Sequence, residues 1–249
     1  MISTDQVQLD PQQHTDDLPS YRALSALAVI AVILGLASAL AILSPALWIL
    51  PLAALVVAVV ALRRIATADP PMVGRKAALL GLFLGVFWGV AGVTTHFSQQ
   101  WIVRTQAQAV AQQWFQYMLR GQTPQAHQLT LAPGRRDLRV DELNTVYAST
   151  PALEERLEGF LAQPGPAAVL RFDPSSEVRY IATEDQHRSS ENDYVLMAYE
   201  LAQPGPSKAT QRMVVEMRRY PGEEGGWVVQ EVLLDSQYRQ LINHGETRR

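Results

Sequence analysis

The chain has 249 residues, of which 48% are hydrophobic, and it carries a net charge of −3 and no cysteine. This length allows one or two folding units. The lack of cysteine excludes a disulfide framework, thiolate catalysis and a zinc–thiolate site, and the acidic balance argues against a nucleic-acid-binding protein.

The first 20 residues are polar and contain several glutamines and four aspartates, Asp5, Asp10, Asp16 and Asp17. Such a segment cannot bury enough apolar surface to fold by itself. It also lacks the positively charged start and the early apolar run of a signal peptide. Residues 1–20 are therefore predicted to form a disordered cytoplasmic tail.

A run of 40 uncharged residues follows, from Ala23 to Leu62. A single helix of that length would measure about 60 Å, which is twice the roughly 30 Å of a bilayer's hydrocarbon core. Ser44-Pro45 divides the run, because proline disfavours helix at the residue before it. The sequence therefore predicts two membrane spans here, at about 23–43 and 46–62.

A third uncharged segment at 77–97 completes a predicted three-helix transmembrane domain over residues 21–97. A helical hairpin buried in a soluble protein is the alternative. The third segment carries Gly81, Gly85 and Gly89 at a spacing of four, which lets another helix approach closely. The expected neighbours are the first two spans of the same chain, and a homodimer contact with a second copy is the alternative.

The charges of the short loops predict the orientation in the membrane. Arg63, Arg64, Arg75 and Lys76 flank the loop between the second and third spans. The positive-inside rule places this basic loop in the cytoplasm. With three spans, the N-terminus is then cytoplasmic and everything after Phe97 is extracytoplasmic.

A set of residues in this region carries a family resemblance: Tyr21-Arg22, Leu24-Ser25, Gly35, Ser38, Ser44-Pro45, Trp48, Pro51, Ala61-Leu62-Arg63-Arg64-Ile65, Gly74-Arg75, Ala77 and Gly81. It resembles the bacterial membrane-module family called domain of unknown function 4190, over about residues 21–92. Ala23 stands where many members have a proline. The resemblance implies a membrane anchor module, here in a bacterial inner (plasma) membrane, and it carries over no catalytic residue.

The sequence after Phe97 is typical of a soluble domain, predicted over residues 98–249. A glutamine-rich amphipathic helix is expected from Gln99 to Leu119, continuing out of the third span and ended by Gly121. Short helices are then expected at about 123–132, 141–147 and 150–162.

Five β-rich runs follow, at Ala168–Phe172, Glu177–Ala182, Tyr194–Leu201, Gln211–Arg219 and Trp227–Leu234. Met213, Val215 and Met217 alternate with polar residues, which predicts a sheet with one buried face and one wet face. Helices followed by consecutive strands predict a soluble α+β domain with helices packed on an antiparallel sheet. The order of elements resembles the nuclear-transport-factor-two-like cone fold.

Few side chains suggest chemistry. The sequence contains no glycine-rich phosphate loop and no Gly-x-Ser-x-Gly elbow, so we predict no cofactor-binding and no catalytic residue. His127, His187 and His244 have no metal-ligand spacing and are expected to be surface or capping histidines, so no metal site is predicted either. A basic cluster, Arg135, Arg136 and Arg139, fits either an ordinary loop or a contact with phosphate or an acidic partner.

Two functions remain open. The first is a non-enzymatic envelope protein, anchored in the lipid bilayer, whose outer domain binds an envelope protein or a small ligand and no nucleic acid. The alternative is an enzyme with an acid/base cavity in the α+β domain, using an Asp or Glu with Tyr180, Tyr194 or Tyr199. An interior filled by Trp114, Phe115 and methionine side chains would count against the enzyme.

Overall fold

The computed structural model describes residues 25–68, 73–137, 142–205, 209–222 and 225–243. The predicted tail over 1–20, Arg139 and His244 lie outside these ranges. The chain divides into two compact units, Met1–Ser98 and Gln99–Arg249. A helical region is followed by a C-terminal domain with a four-stranded antiparallel sheet.

The α-helices in the described ranges are α1 (Ala26–Ala37), α2 (Ile49–Thr67), α3 (Arg75–Leu119), α4 (Thr123–Gln128), α5 (Leu143–Ser149), α6 (Pro151–Leu161), α7 (Pro164–Val169) and α8 (Asp235–Asn243). Short 3-10 helices occur at Ser38–Ile42, Pro45–Trp48 and Pro133–Arg135. As predicted, α3 continues beyond the third apolar segment, and Gly121 ends it with a φ of +71°.

The first predicted span, 23–43, differs from the structure. It is α-helical only to Ala37 and continues as a 3-10 helix to Ile42. At the change, the Ser38 hydroxyl donates to the carbonyl of Leu34 at 2.7 Å. Pro51 lies in the first turn of α2, which follows directly from the 3-10 helix Pro45–Trp48.

In unit 1 the small side chains are buried and the large apolar side chains are exposed, which is the opposite of the arrangement in a soluble protein. Its buried residues are small, and Ala28, Ala31, Ala54, Ala58 and Ala61 are fully inaccessible. Its exposed residues are large and apolar, including Ile33, Leu36, Leu43, Val56, Phe83 and Val90. Exposed apolar side chains in this number are typical of a surface that contacts another apolar phase or partner.

Two helical segments in the described ranges are long and apolar enough to cross a membrane, Pro45–Thr67 and Arg75–Leu119. The apolar segment Ala26–Ile42 is shorter than the usual span length. Two apolar helices, rather than the three that were predicted, therefore meet the length criterion.

The sheet of unit 2 has the strand order β1-β2-β3-β4, with every neighbour antiparallel. The strands are β1 (Glu177–Ser189), β2 (Asn192–Ala202), β3 (Thr210–Tyr220) and β4 (Gly226–Leu234). Met197 pairs with Val215 and Tyr199 with Met213, so their side chains share one face. Four of the five predicted strands are confirmed.

The fifth predicted strand, Ala168–Phe172, is wrong, because this segment begins within α7 and continues into a turn. Pro164 takes the first helical position, where its fixed φ suits a helix. Gly165 packs so closely on β4 that a Cβ there would lie 2.1 Å from the carbonyl oxygen of Val232. Tertiary packing decides the conformation of a run whose composition also fits a strand.

Candidate functional site

The face of the sheet toward the helices is filled by large side chains. Trp114, Phe115 and Met118 of α3 and Met197, Tyr199, Met213 and Met217 of the sheet are almost completely buried in one cluster. The rings of Trp114 and Phe115 are 5.0 Å apart, and those of Phe115 and Tyr199 are 5.1 Å apart. This interior is packed as a core.

Two of the three candidate tyrosines, Tyr180 and Tyr199, are neighbours on paired strands with ring centroids 5.8 Å apart, and Tyr194 is separate from them. Tyr199 is buried in this core, and burial raises its pKa. Tyr180 is partly buried, and its hydroxyl lies 2.8 Å from Thr183 Oγ1. Tyr194 alternates with the core residue Val195 and so faces the other side of the sheet, where its ring stacks on His187 at 5.1 Å.

A surface cleft of about 320 Å³ lies between the end of α3 and the segment that leads into β1. Its lining comprises Gln112, Gln116, Leu119, Arg120, Pro174, Ser176 and Val178. Gln112, Gln116 and Arg120 are spaced four residues apart, which aligns them along one side of the helix end. We call this feature the α3 cleft.

Among the residues that the structure describes, the polar side chains of the α3 cleft have no protein partners. Within the described ranges, the side chains of Gln112, Gln116 and Arg120 make no hydrogen bond or ion pair. Ser176 is only 8% exposed, and its Oγ has no hydrogen-bond partner there. An unsatisfied buried hydroxyl costs about 1–3 kcal/mol.

The segment that carries Ser176 is a well-defined turn. The Asp173 carboxylate accepts hydrogen bonds from the Ser175 amide at 2.8 Å and from the Ser175 hydroxyl, and these bonds lower the pKa of Asp173. The Ser176 amide donates to the carbonyl of Asp173 at 2.8 Å. Ser176 is therefore held in place by the backbone around it.

The α3 cleft combines one cation, neutral hydrogen-bonding groups and the apolar side chains of Leu119 and Val178. One ionisable side chain cannot form the acid/base pair that the enzyme alternative requires. The lining suits recognition of an anion with a short carbon skeleton. Sequence analysis missed this site, although the four-residue spacing from Gln112 to Arg120 was a visible signal.

His127 corrects the expectation of a surface or capping histidine. It is buried, and its Nδ1 lies 2.7 Å from the hydroxyl of Tyr147, which also accepts from Gln128 Nε2 at 3.0 Å. Desolvation, followed by the charge of Arg156, lowers the pKa of His127. This network joins α4 to α5. His187 is exposed as expected, and its Nδ1 lies 2.9 Å from Asp185.

One residue of the basic cluster, Arg136, has a structural role. Arg136 donates through Nη2 to the carbonyl of Trp227 at 2.6 Å and through Nε to that of Leu131 at 3.2 Å. These bonds tie the segment after α4 to the start of β4. Arg135 is exposed, which fits both an ordinary loop and a contact with phosphate or an acidic partner.

The predicted helix-packing glycines contact other helices of unit 1. A Cβ on Gly81 would lie 2.6 Å from the carbonyl carbon and oxygen of Ala31 in α1. Gly85 and Gly89 face α2, where added Cβ atoms would lie 3.1 Å from Ala54 Cβ and 3.2 Å from Pro51 Cβ. Contact of this stripe with a second copy stays a prediction.

The predicted topology-setting residues share one end of the helices of unit 1. Arg63 and Arg64 belong to the last turns of α2, Arg75 and Lys76 begin α3, and all four are exposed. The Ser25 amide donates to the carbonyl of Val73 at 3.1 Å, which brings the start of α1 to the same end.

No group of three or more His, Asp or Glu residues within the described ranges is placed to hold a metal ion. In comparisons with known proteins, no family model, no curated protein and no solved structure matches the chain. Neither family resemblance of the sequence is confirmed, and both remain predictions.

Proposed function

We propose that the chain is an integral protein of a bacterial inner membrane whose unit 2 binds a small ligand or an envelope protein without catalysis. The observation that carries the membrane anchor is the reversed distribution of side chains in unit 1. Fully buried alanines and exposed Ile33, Leu36 and Phe83 are what packing in lipid requires, because lipid solvates large apolar side chains and close helix contact needs small ones.

Three spans are proposed, with Ala26–Ile42 as the first. Its 12 α-helical and 5 3-10 residues would extend about 28 Å, because a 3-10 helix rises more per residue. That length is close to the roughly 30 Å hydrocarbon core. The larger rise per residue of the 3-10 segment thus compensates for the small number of residues in this span.

The orientation places the basic end of unit 1 in the cytoplasm. Arg63, Arg64, Arg75 and Lys76 lie at the end where α1 starts, so one side of the membrane receives both the N-terminus and the basic loop. Trp48 and His96, with ring centroids 5.6 Å apart, belong to the opposite end. Unit 2, which follows this end, is then extracytoplasmic.

Binding without catalysis is proposed for unit 2 because its interior is filled and the α3 cleft offers a single ionisable side chain, Arg120. Such a lining holds a ligand through complementary charge and hydrogen bonds, and it has no second titratable group to move a proton.

Carbonate extraction followed by single-cysteine labelling tests this topology, and the cysteine-free chain needs no prior substitution. We expect the protein to stay with the membranes. A membrane-impermeant maleimide should label Ser149→Cys in unit 2 on spheroplasts, and Ala68→Cys beside the basic loop only after permeabilisation. Release by carbonate would overturn the anchor, and the reverse labelling pattern would overturn the orientation.

A further inference from the structure

We infer that the α3 cleft is a binding site for a small organic carboxylate. This inference deepens the proposed function of unit 2 as a binding domain and rests on it. Two observations carry it: the side chain of Arg120 is exposed and has no partner in the described ranges, and Ser176, in the lining of the same cleft, has a buried hydroxyl without a hydrogen-bond partner there.

The charge of Arg120 selects an anion. Its guanidinium is exposed and has no carboxylate partner in the described ranges, whereas Arg179 and Arg212 of the sheet lie 2.5 Å from Glu200 and Glu184. A guanidinium presents two parallel N–H donors, which match the two oxygens of a carboxylate. Arg120 is therefore available for a bidentate contact.

The other lining residues indicate which groups the rest of the ligand carries. The amides of Gln112 and Gln116 both donate and accept, so they suit a hydroxyl, amino or second carboxyl group on the ligand. Leu119 and Val178 provide apolar contact for a short carbon chain. A volume of about 320 Å³ lies at the small end of ligand sites, which suits a metabolite-sized molecule.

An organic carboxylate is favoured over inorganic phosphate by the apolar part of the lining. The lining contains one cation, Arg120, which meets one carboxylate of the ligand. The side chains of Leu119 and Val178 match a carbon skeleton, which inorganic phosphate lacks.

Isothermal titration calorimetry on the full chain in detergent tests the inference. The probes are L-lactate, L-malate, succinate and L-glutamate, with succinamide as a neutral match and inorganic phosphate as the competing anion. We expect at least one carboxylate to bind with a Kd of about 1 mM or tighter. Succinamide and phosphate should bind at least tenfold more weakly.

Variants assign the binding to the cleft. Arg120→Gln should weaken carboxylate binding at least tenfold, because it removes a charge-assisted contact. Ser176→Ala should weaken carboxylate binding about threefold or more, because it removes a neutral hydrogen bond. Arg104→Gln is the matched control, since Arg104 is an exposed arginine of α3 about 24 Å along the chain from Arg120, and it should change affinity less than twofold.

Three results would overturn the inference: no binding of any carboxylate by the wild-type chain, equal affinities for Arg120→Gln and Arg104→Gln, or tighter binding of phosphate than of every carboxylate. Far-UV circular dichroism of each variant establishes that it is folded. Carbonate extraction and cysteine labelling do not involve the cleft. If no carboxylate binds but the membrane topology is as proposed, the carboxylate site is therefore rejected and the proposal of a membrane-anchored domain is retained.

Discussion

Gly81 of α3 and Ala31 of α1 are in backbone contact, since a Cβ on Gly81 would lie 2.6 Å from both the carbonyl carbon and the carbonyl oxygen of Ala31. A gap of that size admits hydrogen and no methyl group. The atoms that would clash with this Cβ belong to the backbone of α1, so the clash is relieved only if α1 and α3 separate.

Gly81→Ala is therefore expected to destabilise unit 1 by about 1–3 kcal/mol, the usual cost of overpacking. Thermal unfolding of the full chain in detergent, followed by circular dichroism, measures the effect. Gly89→Ala is the matched control, because its Cβ would meet only the Pro51 side chain, at 3.2 Å. A Tm for Gly81→Ala at or above that of Gly89→Ala would contradict the contact.

Gly165 provides the equivalent test in unit 2. A Cβ on Gly165 would lie 2.1 Å from the Val232 carbonyl oxygen, whereas a Cβ on Gly159 would meet nothing within 4 Å. Gly165→Ala should lower the stability of unit 2 by about 2 kcal/mol or more through forced separation of α7 from β4. Gly159→Ala, inside α6, should be neutral or stabilising by up to about 1 kcal/mol.

Urea titration monitored by tryptophan fluorescence distinguishes the two outcomes, because Trp114 and Trp227 are both buried in unit 2. Equal midpoints for the two glycine variants would show that the approach of α7 to β4 is looser than the structure indicates.

Tyr147→Phe removes the hydroxyl shared by His127 and Gln128, which lie 2.7 and 3.0 Å from it. Because both partners are buried, the loss should cost about 1–3 kcal/mol of folding free energy. Tyr117→Phe loses a 2.9 Å hydrogen bond from Gln113 at the surface and should change stability by less than about 0.5 kcal/mol. Similar losses in chemical denaturation of the two variants would argue against a stabilising buried network.

The burial of His127 also predicts a pH dependence. Desolvation and the charge of Arg156 lower its pKa below the usual 6.5, so the unfolded chain takes up the proton more readily than the folded one. Neutral His127 contributes fully to the folding stability above pH 6.5. This contribution declines as the pH falls through 6.5 toward the lower pKa of His127 in the folded state.

Stability should therefore decrease between about pH 7.5 and 5, and His127→Gln should flatten that decrease. Ser149→Ala is the control, since Ser149 is exposed and carries no titratable group, and it should keep the wild-type slope. A slope that persists in His127→Gln would assign the pH dependence to other groups. The measurement is Tm as a function of pH for all three proteins.

Periodicity predicted the elements whose partners lie nearby in sequence. The alternation of Met213, Val215 and Met217 correctly placed β3, and the amphipathic pattern ending at Gly121 correctly ended α3. In such segments one face is buried and the other is not, so hydropathy carries the information.

The remaining features depend on contacts that a linear pattern does not contain. Residues 164–172 form a helix and turn because Gly165 meets Val232 across the domain. His127 is buried because α5 covers it with Tyr147. Ser176 belongs to a cleft only because its turn lies beside the end of α3. Of these residues, only Pro164, at the first position of α7, is of a type that signals its local structure.

The order of the strands has a consequence for how the domain reaches its folded form. Each strand pairs with the next one along the chain, so forming the sheet requires only short loop closures and should be fast. On the proposed topology this domain crosses the membrane before it folds. A meander can add its strands one at a time as they emerge, and β4 then brings Trp227 and Val229 to complete the core last.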